Sequence, residues 1–204
     1  MEVAPFVAAL RDSSRHAVDV LATGVGMVAT AARCSRALAR TRYDLALNFG
    51  VCGSFDPALG PGTVVHVVAD RLAELGAEDG EAFLTIEQLQ LLDGDAFPFR
   101  GGQLLNVSPP ANATLGRLPA VSGITVNTVH GDDRSIALVT RRFSPQVESM
   151  EGAAFMYACL IDEVPFAQVR AVSNVVARRN RDAWRMADAI DNLGRTAVSI
   201  LGTL

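Results

Sequence analysis

Four stretches of this sequence hold residues whose types and spacing could do chemistry. Val147-Glu148-Ser149-Met150-Glu151-Gly152-Ala153-Ala154 sets two carboxylates and a thioether just ahead of an Ala-rich run. A carboxylate accepts two hydroxyls at once and stabilises positive charge growing on a sugar ring. A Glu at a helix start also serves simply as a dipole partner or cap. Thr23-Gly24-Val25-Gly26-Met27-Val28-Ala29 satisfies G-x-G-x-x-A, the turn that lets a backbone approach a pyrophosphate, and Asp44 follows about twenty residues after Gly24. Asp44 precedes the next strand instead of closing it, so a plain tight turn at the mouth of a sheet fits as well. Asn48-Phe49-Gly50-Val51-Cys52-Gly53-Ser54 ends a strand in small residues with exposed backbone, where α/β sheets bind ligands. The bland alternative is a strand-to-loop glycine cluster. Arg170-Ala171-Val172-Ser173-Asn174 ends a β-rich run in Ser-Asn, which also builds ordinary turns.

The elements that must position these stretches alternate. Val18–Ala22, Leu45–Val51, Thr63–Ala69 and Gly123–Val129 read as strands, and Val164–Val175 contains another. Met27–Ala39 and Glu151–Ile161 read as helices. From Asn180 onward, Trp184, Ala187, Ile190, Leu193, Ala197 and Leu201 share one face at helical spacing. This alternation predicts an α/β fold with a largely parallel sheet. Residues 71–118, richer in Gly, Pro and acidic residues, read as an excursion beside a substrate or a subunit interface. The 204 residues carry no repeat or linker and predict a single domain over 1–204.

Composition excludes several classes. Half of the residues are hydrophobic and 20% are charged, and 18 Lys plus Arg against 22 Asp plus Glu leave a net charge of −4. A nucleic-acid partner normally demands a basic face, so none is expected. The basic run Arg178-Arg179-Asn180-Arg181 reads as a solvated turn. Cys34, Cys52 and Cys159 lie far apart without CxxC spacing, and His16, His66 and His130 are equally scattered. No disulfide framework and no metal site are expected. With no leader or membrane-length apolar run, the expected setting is the cytoplasm, with no membrane partner.

The order of the stretches is more specific than any one of them. A Gly-x-Gly turn, then N-x-G-x-x-G-S, then M-E-G-A-A, then V-R-x-x-S-[ND] resembles the nucleoside phosphorylase and nucleosidase superfamily, over nearly the whole chain. TVNTVHG, QVESMEGAAF and RNRDAW resemble its futalosine hydrolase branch. The resemblance implies a three-layer αβα fold around a mixed, partly closed central sheet, and a homo-oligomer. It implies hydrolysis of the N-glycosidic bond of futalosine to hypoxanthine and dehypoxanthinyl futalosine, in menaquinone biosynthesis, without a cofactor. Met150 would pack on the ribose and Glu151 would accept its 2′ and 3′ hydroxyls. Val51, Cys52 and Gly53 would lie near the purine and Asn174 would meet it. Glu148 falls outside the matched pair and reads as structural.

Relatives that cleave adenine carry Asp where Asn174 stands. An amide donates to the O6 of a 6-oxopurine while still contacting N7, so Asn174 points to hypoxanthine. A neutral amide is no general acid, and the leaving base must be stabilised or protonated otherwise; Asp182 is near in sequence. Related phosphorylases place Arg and Ser or Thr where Asn48 and Val51 stand, which leaves no cation for phosphate and favours water. Glu2 matches the general base that positions that water. The family begins with a β-strand before this Glu, so the first strand is expected to be missing. One of Arg178, Arg179 and Arg181 would meet the benzoate of futalosine. The competing readings are an enzyme for another 6-oxopurine nucleoside such as inosine, a non-catalytic nucleoside-binding protein, and a dinucleotide-dependent oxidoreductase.

Overall fold

A computed structural model describes residues 16–204. Eight strands and four α-helices follow in chain order: α1 (Met27–Leu38), β1 (Ala46–Ser54), β2 (Val64–Asp70), β3 (Gly76–Asp79), β4 (Ala82–Thr85), β5 (Leu104–Leu105), β6 (Ala120–Thr125), α2 (Asp133–Phe143), β7 (Val147–Ser149), α3 (Gly152–Ile161), β8 (Phe166–Val175) and α4 (Met186–Leu201). Short 3-10 turns occupy Leu115–Arg117 and Arg181–Ala183.

Six strands form one mixed sheet in the order β5-β2-β6-β7-β1-β8, and β2 also pairs with β8, from Val64↔Ala171 to Val67↔Gln168, so the sheet curls back on itself into a partial barrel. The expected αβα architecture with a partly closed sheet is what the structure shows. Cys52, Val65, Val67, Val121, Val147 and Val172 pack together where the strands converge. On one side α3 is buried nearly all round, and its Ala153, Phe155, Met156 and Cys159 meet Cys34 of α1. On the other, Ala189, Leu193 and Ile200 of α4 cover Ala167, Val169 and Ala171 of β8.

Three local expectations shift. Val18–Ala22 joins no ladder among the described residues, and Val20 and Leu21 stand 44% and 48% exposed. Apolar alternation makes a strand only where a neighbour's edge is open to it; here the segment is tied by Arg33 Nη1 to the Ala22 carbonyl at 2.8 Å and by the Tyr43 hydroxyl to Asp19 at 3.0 Å. The strand expected at Gly123–Val129 instead spans Ala120–Thr125, because the residues after Thr125 turn away to bond elsewhere. The buried stripe of α4 is Ala189, Leu193, Ala197, Ile200 and Leu201, while Ala187 faces solvent and Trp184 precedes the helix. Helix α2, absent from the elements expected, sets Ile136, Val139 and Phe143 at helical spacing, and it starts at its cap, Asp132, whose Oδ1 accepts from the N–H groups of Arg134 and Ser135.

A buried polar network ties α3 to the sheet. Asp70, at the end of β2, is 1% exposed and accepts from Thr125 Oγ1 at 3.0 Å, Gln168 Nε2 at 2.9 Å and the Arg71 N–H at 2.8 Å. Thr125 Oγ1 accepts in turn from the Ala153 N–H at 2.7 Å, which satisfies a donor that the first turn of α3 leaves open. Gly152 is required here, because a Cβ would sit 2.2 Å from Asp70 Oδ2.

Burial pushes the Asp70 carboxyl up to about 6 from 3.8, more than its hydrogen bonds and the Arg170 charge pull it down. The folded protein therefore holds this proton where the unfolded chain has released it. The stability so gained is full below the ordinary carboxylate range and is lost as pH rises through about 6. Relative to Asp70→Asn, the native protein is expected to lose up to about 3 kcal/mol of unfolding free energy between about pH 4 and about pH 7.5, measured by urea denaturation. A difference that stays flat over that range would contradict the assignment.

Candidate active site

The parallel pairing of β1 with β8 positions the site. Its register runs Gly50↔Arg170, Val51↔Ala171 and Cys52↔Val172, then slips so that Gly53 faces Asn174 and Ser173 is left over. On its other edge β1 meets β7 at Gly53↔Glu148 and Ser54↔Val147. Glycine thus stands opposite Arg170 and Asn174, two of the four polar residues of β8.

At Gly50 the vacancy is filled. A Cβ there would lie 2.0 Å from Arg170 Nη1, so the guanidinium crosses the strand over the glycine. Arg170 is 2% exposed, and its Nη1 lies 3.4 Å from Glu151 Oε2. The other oxygen, Glu151 Oε1, accepts from the Gly26 N–H at 3.0 Å. Gly26 has φ 91°, a backbone state glycine adopts freely, and it caps α1. The helix N-terminus where a dinucleotide would place its pyrophosphate therefore holds the protein's own carboxylate. The Gly-x-Gly turn, Arg170 and the Met150-Glu151 pair form one cluster. Each Glu151 oxygen keeps a lone pair, and Arg170 Nε and Nη2 are buried with no hydrogen-bond partner among the described residues.

At Gly53 the space is taken by Val176, whose Cγ2 lies 2.8 Å from where a Cβ would stand, and the glycine forms part of a cleft wall. Gly53, Val129, His130, Glu148, Asn174, Ala177, Arg179 and Trp184 line a cleft. The point a Gly53 Cβ would occupy lies 3.4 Å from Asn174 Nδ2 and 3.5 Å from Glu148 Cγ, between the two side chains. Asn174 Nδ2 donates one proton to the Val175 carbonyl at 3.0 Å, which orients the amide. Ser173 Oγ lies 2.8 Å from Asn174 Oδ1 and 3.1 Å from the Cys52 carbonyl. Glu148 is 3% exposed; its Oε1 accepts from the His130 N–H at 3.1 Å and its Oε2 lies 2.6 Å from His130 Nδ1. The cation of Arg179 lies 5.6 Å from the Trp184 ring.

Two residues of extended β1, Val51 and Cys52, lie between the two glycines, which places them three steps or roughly 10 Å apart along the strand. The structure thus brings Met150, Glu151 and the glycine turn together at one end and Gly53 and Asn174 together at the other. Val51 and Cys52 turn their side chains elsewhere: Val51 packs against the α4 side of the sheet, and Cys52 lies among the converging valines, its thiol pushed up to about 12 by burial. Glu2 lies outside the described residues. Asp182 is exposed in the Arg181–Ala183 turn, outside the cleft, and Arg178 and Arg181 are exposed as well.

Sequence reasoning missed three participants. Glu148 read as structural, His130 as scattered, and Arg170 as the start of a strand. A signal was present for each: Glu148 and Arg170 stand inside the motifs quoted for the resemblance, and His130 ends TVNTVHG.

Residues 10–202 match the phosphorylase superfamily. The futalosine hydrolase of Thermus thermophilus is 31% identical over 89% of this chain and 80% of that protein, and that of Streptomyces coelicolor 34% over 88% and 78%. The chain belongs to the futalosine hydrolase branch of the phosphorylase superfamily. A third member, from Acidothermus cellulolyticus, is 35% identical over 86% of this chain and 71% of its own. Among solved structures, the 5′-methylthioadenosine/S-adenosylhomocysteine nucleosidase of Neisseria meningitidis, in complex with methylthio-immucillin-A, superposes with a TM-score of 0.73 at 15% identity, covering 98% of this chain and 95% of that one. The corresponding nucleosidase of Colwellia psychrerythraea, in complex with adenine, gives 0.69 at 20%, covering 98% and 93%. At these identities the likeness is one of fold.

Gly50→Ala tests the crossing at the first vacancy. The new methyl group collides with the Arg170 guanidinium. It is expected to cost about 1–3 kcal/mol of unfolding free energy, as overpacking does, read from denaturant midpoints. Unchanged stability would mean that Arg170 does not lie over Gly50.

Proposed function

We propose that this chain hydrolyses the N-glycosidic bond of futalosine, releasing hypoxanthine and dehypoxanthinyl futalosine, and so serves menaquinone biosynthesis. The observation that carries the reading is the spacing along β1 of a fixed carboxylate at one end and an open, amide-flanked cleft at the other. That span suits a ribose and its purine. Membership of the futalosine hydrolase branch supplies the substrate.

Glu151 is held from both sides, by Gly26 and Arg170, and its free lone pairs suit the 2′ and 3′ hydroxyls of a ribose beside Met150. Its charge stabilises the oxocarbenium-like transition state while the carboxylate itself stays fixed, so little reorganisation is needed. The buried N–H groups of Arg170 suit an oxygen at the same end, either water or a sugar hydroxyl. The Arg170 charge is already matched by Glu151, which leaves little attraction for phosphate and supports water as the nucleophile. Glu2 is proposed as the base that takes the water's proton.

The purine lies over Gly53 with Asn174 donating to it, flanked by the backbone of Val51 and Cys52. The benzoate meets a basic residue, with Arg179 the candidate at the cleft. A homo-oligomer is supported by Val25 and Val28, which stand 76% and 78% exposed on one turn and helix start. The buried free thiols of Cys34, Cys52 and Cys159 suit a reducing cytoplasm. Among the described residues no helix is long and apolar enough to cross a membrane.

Incubation of the protein with futalosine and with inosine, in buffer free of phosphate, tests this directly. Hypoxanthine followed by chromatography is expected from futalosine. Release from inosine alone would move the assignment to another 6-oxopurine nucleoside, and a strict phosphate requirement would make the protein a phosphorylase. Glu151→Gln is expected to lower kcat/KM for futalosine by about 100-fold or more. A loss of less than about threefold would remove Glu151 from the transition state.

A further inference from the structure

We propose that Glu148, positioned by His130, is the residue that selects a 6-oxopurine over a 6-aminopurine. The inference rests on the purine occupying the cleft over Gly53 and adds the group that decides which purine it is.

A buried carboxylate facing a cleft is costly unless it is hydrogen-bonded. His130 meets part of that need from one side, with its backbone N–H and Nδ1. Both contacts come from a single residue, and two carboxylate oxygens offer about four acceptor sites. Capacity therefore remains, and Glu148 lines the cleft. The contact with Glu148 also places the His130 proton on Nδ1, since an ionised carboxylate only accepts. The ring's edge contact with Phe55, centroids 6.2 Å apart, packs it in place.

Asn174 lines the same cleft, and its Nδ2 approaches Gly53 from one side as Glu148 Cγ does from the other. Its Nδ2 is committed to the Val175 carbonyl with one proton and has a second for the ligand. That single donor does not discriminate between bases, because N7 accepts in both adenine and hypoxanthine. The distinction lies on the pyrimidine edge. Hypoxanthine presents an N1–H donor beside O6; adenine presents a bare N1 lone pair beside an amino group. A carboxylate accepts and cannot donate. Glu148 accepts from N1–H of the lactam and opposes the N1 lone pair of adenine. The walls of the cleft, Val129, Ala177 and Trp184, suit a flat aromatic ring and confine it to that plane.

The test is equilibrium binding of three free bases, hypoxanthine, 1-methylhypoxanthine and adenine, to the native protein, Glu148→Gln and Glu148→Ala, by titration calorimetry. The native protein is expected to bind hypoxanthine about 10- to 100-fold more tightly than either other base, the worth of one charge-assisted hydrogen bond. Glu148→Ala is expected to bring the hypoxanthine to 1-methylhypoxanthine ratio close to unity, since the N1 proton then has no acceptor and the methyl group has room. Glu148→Gln is expected to weaken hypoxanthine about tenfold and leave adenine no weaker. His130→Gln, which releases Glu148, is expected to reduce the preference without abolishing binding. Hypoxanthine affinity unchanged in both Glu148 variants overturns the proposal. So does an equal loss of all three bases, which is the mark of a merely structural role. A native protein that binds none of the bases overturns the assignment of the cleft itself, which separates that failure from this one.

Discussion

A parallel ladder that puts glycine opposite Arg170 and opposite Asn174 is the constraint on which the site depends. Gly50 faces Arg170 and Gly53 faces Asn174, and the second pairing exists only because Ser173 is skipped. Had the register continued unbroken, Gly53 would face Ser173 and Asn174 would face Ser54. A side chain at Gly50 would drive the guanidinium off Glu151, and one at Gly53 would collide with Val176, beside Asn174 and Glu148. Parallel strands buried by helices on both faces usually carry bulky apolar residues. Here two positions give up that packing, and the space goes to a buried cation at Gly50 and to the Val176 side chain, at the cleft wall, at Gly53.

The buried charges follow one pattern, in that each is answered by a fixed partner from a distant part of the chain. Glu151 is met by Arg170 and by the turn that starts α1; Glu148 is met by His130; Asp70 is met by Thr125, Gln168 and the Arg71 backbone. Ion pairs with so little water around them contribute little net stability, because desolvation offsets most of their attraction. What they supply is position. Asp70 shows the cost most plainly: even with three donors its carboxyl is pushed up to about 6. It lies beneath the first turn of α3, next to Gly152, one residue from Glu151, so the strain of holding that charge is accepted where the helix must be placed.

The segment between β6 and α2 shows how a loop is made rigid enough to serve a site. Val126 N–H bonds to the Ser149 carbonyl, Asn127 and Thr128 donate to Glu74, His130 donates to Glu148, and the Gly131 carbonyl accepts from Arg179. These contacts reach three different parts of the chain, so the loop is fixed relative to the β7 edge and to the Arg178–Arg181 turn together. That is also why the strand expected through Val129 stops at Thr125: the later N–H groups are used by side chains and by β7 instead of continuing the ladder.

Residue order and type were enough to read the family, the α/β class and most strands and helices, because buried strands rich in Val, an Ala-rich helix and glycine turns leave local signatures. They were also enough to single out Glu151, Gly53 and Asn174, whose chemistry is written in their motifs. Position in space was not legible. Glu148 reads as structural until His130, in another loop, closes on it, and Arg170 reads as one more strand residue until Gly50 lets it through to Glu151. The Gly24–Gly26 turn had two meanings in one dimension; a carboxylate from far along the chain, seated on the Gly26 N–H, leaves one. The α4 stripe kept the expected Leu193, Ala197 and Leu201 but runs through Ala189 and Ile200 instead of Ala187 and Ile190, because helical periodicity gives the spacing of a face, while β8 decides which face is covered. Long-range hydrogen bonds and the vacancies left by missing side chains carry no local sequence signal, and the active site is built from both.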